Sequence, residues 1–392
     1  MKRNVIILAA LFAICTLNAE IYVWKGGLPI LSDPDSITFV KPEMSAQVQD
    51  IEDKGSQGFA IRYLFLTKDY MGKPQWQSAL LNLTADQYAS KHIGKMVLYN
   101  HYTIMRDGEC PTAGELWDMQ MVPFFQGFAV VSADYEGFGA TADRPQAYCF
   151  GEANARASID ALLAAREWLR NEGYTLSDTI VNIGYSQGGQ TTIAALKLSQ
   201  TEYKGKVHFL KSIAGDGPYF LSLTYQKYIE WEENKMPSAL TLTFITLNEL
   251  LHLGLKYKDV FIGKLADSYK MWFLSKKFDT TESSTLIEAD SIKYFVQPAY
   301  CDSTTQEAKK ILHIADSLDF TKGWTPDKDT NLKIYHSKND EVVPFENGRE
   351  LYQFFQRQGC EKVAIDSTSL SSAHQIAGQS FAISLMQEFT QL

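Results

Sequence analysis

The chain of 392 residues carries a formal net charge of −9, and 45% of its residues are hydrophobic and 21% are charged. These proportions are ordinary for a globular protein that is long enough to bury a large core. The acidic balance argues against nucleic acid and anionic membrane surfaces as partners, because their phosphates would repel the protein.

The first residues, "MKRNVIILAALFAICTLNAE", combine two basic side chains, a short apolar run and a polar exit. This pattern predicts a secretory signal peptide at 1–19, with cleavage after Ala19. The alternatives are an uncleaved anchor and a lipoprotein attached through Cys15, which is less favoured because bulky Ile14 precedes that cysteine. No later stretch is long and apolar enough to span a bilayer. We therefore expect an exported protein, periplasmic or secreted.

The remaining chain alternates between strand and helix patterns. Two alternating strands joined by a turn are predicted within 58–83. Runs typical of buried parallel strands follow at 95–100, 128–133, 179–184, 207–215, 332–337 and 362–367. Helices are predicted at 153–170, 189–200, 345–358 and 378–392. This alternation indicates an α/β fold with a mostly parallel central sheet flanked by helices.

One interval, 218–320, shows only helical patterns. We interpret it as a helical cap, or lid subdomain, inserted into the α/β core. The predicted organisation is a signal peptide at 1–19, a first core part at 20–217, the cap at 218–320 and a second core part at 321–392. The aromatic residues of the cap either shape an apolar substrate pocket or simply pack the inserted unit.

The segment "NIGYSQGGQ" places Ser186 between a predicted strand and a predicted helix. That is the context of a nucleophile elbow, in which a strained turn pushes the serine hydroxyl outward. Gly184 and Gly188 lack side chains and let strand and helix approach closely. The helix N-terminus would direct N–H groups at a developing oxyanion. We therefore predict Ser186 as a nucleophile, the alternative being a polar turn residue.

A nucleophilic serine needs a base, and the base needs an orienting carboxylate. Asp340 follows the predicted strand at 332–337 and would lie at the same sheet edge as Ser186. The rival carboxylates are Glu341, Asp316 and Asp319.

His374 lies in the loop between the last predicted strand and the last predicted helix. It is the one histidine that follows the acid at such a junction. The chain order Ser186, Asp340, His374 is that of the α/β-hydrolase fold. The sequence thus predicts this fold and a Ser-His-Asp triad.

A dinucleotide site and a metal site are not predicted. The segment "GFGATA" matches a dinucleotide fingerprint, but Pro145 and a loop separate it from the next helix. Four cysteines remain after the signal peptide, without metal-ligand spacing. We expect two disulfides, favouring Cys110–Cys149 and hence Cys301–Cys360, with free buried thiols as the alternative.

Six segments and His374 carry a family resemblance. The segments are "KPQWQSALLNL", "MVLYNHYTI", "FAVVSADYEGFG", "NIGYSQGG", "IAGDGPY" and "KNDEVVP". Together with His374 they resemble the secretory lipase family of α/β-hydrolases and related exported bacterial esterases. The resemblance runs from about residue 58 to the C-terminus. It implies carboxylic ester hydrolysis without a cofactor and a lid-like insertion before the acid. It also implies oxyanion donors from the backbone N–H groups of Gln187 and Asp134.

The chain departs from many relatives at one point, where His101-Tyr102-Thr103 replaces His-Gly-Thr. Tyr102 would narrow the acyl or alcohol pocket, and His101 is then expected to be structural. The predicted function is an exported serine carboxylesterase or lipase acting on a small-molecule or glycan-linked ester. A serine peptidase on the same fold and a non-catalytic binding protein are the alternatives.

Overall fold

The computed structural model describes residues 46–55, 58–113, 119–231, 233–370 and 372–392, together with the backbone of the strands Ile21–Val23 and Pro29–Leu31. The signal peptide predicted at 1–19 lies outside these residues. No helix within the described part of the chain is long and apolar enough to cross a membrane.

A nine-stranded sheet lies at the centre of the molecule. In chain order the strands of the protein are β1 Ile21–Val23, β2 Pro29–Leu31, β3 Ala46–Asp53, β4 Phe59–Lys68, β5 Pro74–Leu83, β6 His92–Ile93, β7 Met96–Asn100, β8 Ala129–Ala133, β9 Thr175–Leu176, β10 Ile180–Tyr185, β11 Lys211–Gly215, β12 Leu332–Tyr335 and β13 Val363–Asp366. The central sheet has the order β3-β4-β5-β8-β7-β10-β11-β12-β13, and its last six strands are parallel. The predicted, mostly parallel sheet is confirmed.

Helices cover both faces of this sheet. They are Ala85–Ser90, Met121–Phe125, Gly151–Asn171, Gln187–Gln200, Glu346–Arg357 and His374–Thr390. Along β7, Met96 and Leu98 join one hydrophobic cluster, whereas Val97 and Tyr99 join another. Because successive side chains of a strand point to opposite faces, β7 is apolar on both and reads as one continuous hydrophobic run.

The edge strand β3 was missed by the sequence prediction. Its segment "AQVQDIED" is half-exposed and polar, and its register against β4 shifts between Val48 and Asp50. Arg62 of β4 pairs with Asp50 and Glu52 of this strand. Charges and irregular register are common features of edge strands, because they discourage pairing with a second chain. They also remove the apolar pattern from which strands are predicted.

The interval between β11 and β12 is helical in the described residues, apart from an isolated bridge between Phe261 and Val296. Its α-helices are Leu221–Glu230, Pro237–Leu251, Tyr257–Val260, Gly263–Tyr269, Thr280–Ile287 and Gln306–Ser317. Most of its buried apolar residues form a hydrophobic cluster separate from those of the sheet. We keep the boundaries 218 and 320 of the cap as a proposal.

The predicted disulfides are not formed, because all four described cysteines are free. Cys110 packs in a small cluster with Ile104 and Phe138, whereas Cys149 packs in the cluster of the helical interval. Cys301 belongs to that same cluster, but its predicted partner Cys360 belongs to the cluster of the sheet. Each predicted pair therefore joined residues that pack in different clusters.

Lys276 connects the helical interval to the loop that follows β8. Its ammonium group donates hydrogen bonds to the carbonyls of Gly137, Ala142 and Arg144, the last two at 2.5 and 2.8 Å. An ammonium group has three N–H donors, so these three carbonyls satisfy all of them. The adjacent Phe138 ring lies 5.4 Å from the same nitrogen. The lysine thus connects the helical interval to the loop after β8.

We expect Lys276→Met to lower the free energy of unfolding by about 2–4 kcal/mol, because three carbonyls lose a charged donor. Urea denaturation of both proteins measures the difference. Lys277→Met is the matched control, since Lys277 is exposed, and we expect a change within about 0.5 kcal/mol. Equal stability of the two variants would contradict the connecting role of Lys276.

Candidate active site

Ser186 occupies the turn between β10 and the helix Gln187–Gln200. Its backbone has φ 57° and ψ −122°, a conformation that residues other than glycine rarely adopt. The backbone N–H of Ser186 donates to the carbonyl of Gly215, 2.8 Å away, at the end of the neighbouring strand. The strained turn is thereby fixed to the sheet, with Ser186 at its carboxyl edge.

Two glycines allow this turn to be so tight. A Cβ atom on Gly184 would lie 2.3 Å from the carbonyl oxygen of Gly188, and one on Gly188 would lie 2.1 Å from that of Asn100. Both contacts are with backbone, which cannot move aside. Glycine is therefore required at both positions, as the segment "GYSQG" led us to expect.

The structure brings Ser186, His374 and Asp340 together. His374, the first residue of the helix His374–Thr390, has Nε2 2.9 Å from the Ser186 hydroxyl and Nδ1 2.6 Å from the Asp340 carboxylate. All three residues are buried. A carboxylate only accepts, so Nδ1 carries the proton and Nε2 is free to accept from the serine hydroxyl.

Asp340 is held by its own loop. Its second carboxylate oxygen accepts hydrogen bonds from the backbone N–H groups of Val342 and Val343, each at 2.8 Å. The rival Glu341 accepts instead from the backbone N–H of His374, at 3.2 Å. Of the two carboxylates, Asp340 is therefore the one that contacts the imidazole ring.

The weaker rivals lie elsewhere. Asp316 pairs with Lys322 at the surface, and Asp319 accepts hydrogen bonds from Thr321. Both carboxylates are thus occupied locally, and neither takes the position that Asp340 has beside the imidazole ring.

Two opposing effects act on the pKa of His374. Burial alone lowers it, because a charged ring is poorly solvated there. The charge and hydrogen bond of Asp340 raise it, with smaller contributions from Asp216 and Glu341, and the net result is a pKa raised above 6.5. The ring is therefore a stronger base than an ordinary histidine.

Asp216 is a second carboxylate at this edge, and the sequence motifs did not predict a role for it. It is fully buried directly after β11 and accepts from the backbone N–H of Ser337 at 2.7 Å. The hydroxyl of Tyr185 lies 2.7 Å from Asp216 and 2.5 Å from the carbonyl of His374. Burial raises the pKa of Asp216, and the nearby His336 opposes this rise. Its position after a buried strand was the signal available in the sequence.

Asp216, Asp340 and His374 form the one group within the described residues whose potential metal ligands lie within 4.8 Å of one another. The Asp340 and His374 atoms in question already share a hydrogen bond of 2.6 Å. Both oxygens of Asp216 also have hydrogen-bond partners. We therefore assign no metal to this group.

The oxyanion role predicted for Asp134 is wrong, because its backbone N–H donates to the carbonyl of Ser78, 3.0 Å away. The carboxylate of Asp134 accepts from Ser78 and Thr112, and burial raises its pKa to about 6. Asp134 is a buried connection between β5 and the loop that contains Thr112. Gln187, in contrast, is the first residue of the helix after Ser186, where an N–H has no intrahelical partner.

The loop after β7 lies beside Ser186, since β7 pairs in parallel with β10. The ring of His101 contacts the carbonyls of Tyr102 and Asp134 at 2.7 and 3.2 Å, and it stacks on Tyr135 at 4.0 Å. Burial lowers the pKa of His101 to about 4, so the ring is neutral at pH 7. These contacts fit the structural part that we expected of His101.

Ser186 borders two cavities. The first, called the small cavity, has a volume of about 30 Å³ and is lined by Thr103, Tyr148, Cys149, Ser186, Pro218, Leu221, Thr224, Tyr225, Tyr228, Met236, Leu240, Thr243, Val342 and Val343. The second, called the large cavity, has a volume of about 620 Å³ and is lined by Tyr102, Thr103, Glu109, Met119, Val122, Tyr185, Ser186, Met236, Asp279, Thr280, Thr281, His374, Gln375, Gly378, Gln379 and Ala382. Thr103 lines both cavities.

We expect the imidazole of His374 to titrate above pH 6.5, and Asp340→Asn to lower this pKa because the neighbouring negative charge is removed. NMR titration of the ring carbons measures both values. Asp329→Asn is the control, since Asp329 is exposed, and it should leave the titration unchanged. An unaltered pKa in Asp340→Asn would show that Asp340 does not govern the charge of His374.

A scan against protein families matches the secretory lipase family over residues 117–389, well over half of the chain. A comparison with curated proteins gave no match.

Among solved structures, the chain is similar to the rice cell wall degrading esterase LipA from Xanthomonas oryzae, with 20% identity, a TM-score of 0.68 and coverage of 88% of this chain and 94% of that chain. A putative hydrolase from Legionella pneumophila has 18% identity, a TM-score of 0.70 and coverage of 96% and 97%. Candida antarctica lipase A in its closed state has 14% identity, a TM-score of 0.64 and coverage of 90% and 86%. At these identities the likeness shows the α/β-hydrolase fold, and the family match adds that this chain belongs to the secretory lipase family of ester-hydrolysing enzymes.

Proposed function

We propose that this protein is a serine carboxylesterase or lipase that works through an acyl-enzyme on Ser186. The observation that carries the proposal is the continuous hydrogen-bonded chain from Asp340 through His374 to Ser186, with lengths of 2.6 and 2.9 Å. A serine on a strained turn, a base within reach of it and a carboxylate orienting that base are the parts of a hydrolytic triad.

The mechanism follows from these positions. His374 takes the proton of Ser186 through Nε2 while the serine oxygen attacks the ester carbonyl. The protonated His374 then donates to the leaving alcohol, and an acyl group stays bonded to the serine. Water then attacks the acyl carbonyl while it gives a proton to His374, the bond from the acyl carbon to the serine oxygen breaks, and His374 returns the proton to that oxygen as the acid leaves. Asp340 stays ionised throughout, holds the tautomer of His374 and stabilises its cation.

The oxyanion needs two donors near Ser186. We propose the backbone N–H of Gln187 as the first, since it follows the nucleophile at the start of a helix. In this fold the second donor comes from the loop after the strand beside the nucleophile's strand. Here that loop contains Thr103, which lines both cavities with Ser186. Thr103 therefore replaces Asp134 in the proposal.

We also propose that the protein is exported and that the helical segment 218–320 is a cap over the active site. The name of the matched family and the signal-peptide pattern at 1–19 support export. Residues of the helices Leu221–Glu230 and Pro237–Leu251 line the small cavity beside Ser186, which supports the cap. Cell fractionation tests export, and a protein found wholly in the cytoplasm would contradict it.

The triad is tested by Ser186→Ala. We expect kcat/KM on 4-nitrophenyl acetate to fall at least about 10⁴-fold, because no nucleophile remains to form the acyl-enzyme. Ser303→Ala is the control on an exposed serine and should keep full activity. Activity that survives in Ser186→Ala would refute the nucleophile. Ser186-dependent cleavage of peptides in preference to esters would instead indicate a peptidase.

A further inference from the structure

We propose that the substrate is a short acyl group, of about two or three carbons, esterified to an uncharged and hydroxyl-rich alcohol such as a sugar residue. This inference rests on the serine esterase function proposed above. It follows from the different sizes, linings and positions of the small and the large cavity on either side of Ser186.

The position of His374 decides which cavity receives which half of the ester. The protonated imidazole must donate to the leaving alcohol, so the alcohol lies on the side of His374. His374 lines the large cavity and not the small one. The large cavity therefore receives the alcohol, and the small cavity receives the acyl group.

The small cavity limits the length of the acyl group. Its volume of about 30 Å³ has room for one or two water molecules, whereas an apolar cavity of about 150 Å³ binds benzene, with six carbons. An acetyl or propionyl group adds one or two carbons beyond the carbonyl, which itself sits at Ser186. A chain of eight or more carbons does not fit.

The wall of the small cavity is packed. Tyr225 donates its hydroxyl proton to the carbonyl of Tyr300 at 2.6 Å, and its ring meets the edge of Phe244 with centroids 5.7 Å apart. Leu240 of the helix Pro237–Leu251 is 3% exposed and lies among the buried residues of the cap. Packed interiors do not yield easily to extra methylenes. The wall therefore selects against long chains.

The large cavity has hydrogen-bonding groups that suit hydroxyls. Two carboxylates, Glu109 and Asp279, line it together with Gln375 and Gln379. Burial raises the pKa of Glu109, the charge of Asp279 adds to that rise, and hydrogen bonds from the backbone N–H groups of Arg106 and Met105 oppose it. Carboxylate oxygens accept from hydroxyl groups and repel anions. The lining favours a neutral polyol and disfavours a phosphate-bearing alcohol.

The acyl limit is tested with 4-nitrophenyl esters of two, four, eight and sixteen carbons. We expect kcat/KM on the acetate to exceed that on the octanoate at least about tenfold, the discrimination that one or two misfitting methylenes give. Leu240→Ala removes three carbons from the wall of the small cavity and should bring the butyrate to the level of the acetate or above.

Leu242→Ala is the matched control for Leu240→Ala. Leu242 belongs to the same helix and is 1% exposed, but it does not line the small cavity. The same truncation there should leave the chain-length profile unchanged, and thermal unfolding of both variants checks that they fold. A Leu240→Ala profile identical to that of Leu242→Ala would overturn the assignment of the acyl side.

The alcohol side is tested by comparing acetylated glucose with acetylated glucose phosphate. We expect a preference of at least about tenfold for the neutral ester, because the carboxylates repel the phosphate. Asp279→Asn should reduce this preference. The variant keeps the fold, since Asp279 begins the helix Thr280–Ile287 as its N-cap and asparagine caps as well as aspartate. Asp302→Asn, at another exposed turn, is the control and should leave the preference unchanged.

These outcomes separate the inference from the function on which it rests. If no ester is cleaved, or if Ser186→Ala cleaves as well as the native enzyme, the esterase proposal fails. If cleavage depends on Ser186 but is fastest on the butyrate or a longer ester, the short-acyl inference alone is overturned. A preference for the phosphorylated sugar ester would overturn the alcohol side alone.

Discussion

The candidate site depends on the common end point of four parallel strands. Tyr185 of β10 lies opposite Gly215 of β11, which lies opposite Tyr335 of β12, and Tyr335 lies opposite Asp366 of β13. Because the strands end at the same level of the sheet, the loops after them meet at one edge. Ser186, Asp340 and His374 come from three of these loops, and their contacts follow from the register.

This edge is buried, so charge there has to be compensated. Two backbone N–H groups compensate the carboxylate of Asp340, and one backbone N–H and the hydroxyl of Tyr185 lie within hydrogen-bonding distance of Asp216. Burying an unpaired carboxylate would be far more costly than burying one with such donors. The same low-dielectric surroundings strengthen the effect of Asp340 on His374. The charge and hydrogen bond of Asp340 thus raise the pKa of His374 in spite of the burial of its ring, which is the basicity that a proton acceptor needs.

Patterns of local sequence predicted the elements and the strand ends well. The run "TIVNIG" became β10, and Ser186, Asp340 and His374 each follow a strand as expected. Parallel strands are buried on both faces and give strong apolar runs, and the ends of these strands can therefore be predicted from the sequence. The edge strand β3 has no such run, and it was missed.

What the sequence did not predict depends on contacts between distant segments. The backbone N–H of Asp134 faces Ser78 across the ladder from β5 to β8, and no local pattern shows that an N–H is already paired. The cysteines illustrate the same limit, because their count and compartment suggested pairs while their packing separates them. Sequence spacing does not state which cluster a buried side chain joins.

The different origins of the proposed triad and of the small cavity explain why a mechanism was easier to propose than a substrate. The residues of the proposed triad follow strand ends, which belong to the core and can be predicted from hydrophobic periodicity. The small cavity is set by where helices such as Pro237–Leu251 rest on the core, and by side chains such as Leu240 that project from them. Periodicity identifies the buried face of such a helix but not its distance from Ser186, and the room for an acyl chain depends on that distance. We therefore attribute the proposed specificity to packing between the helical interval and the sheet, and the proposed chemistry to the strand ends of the sheet.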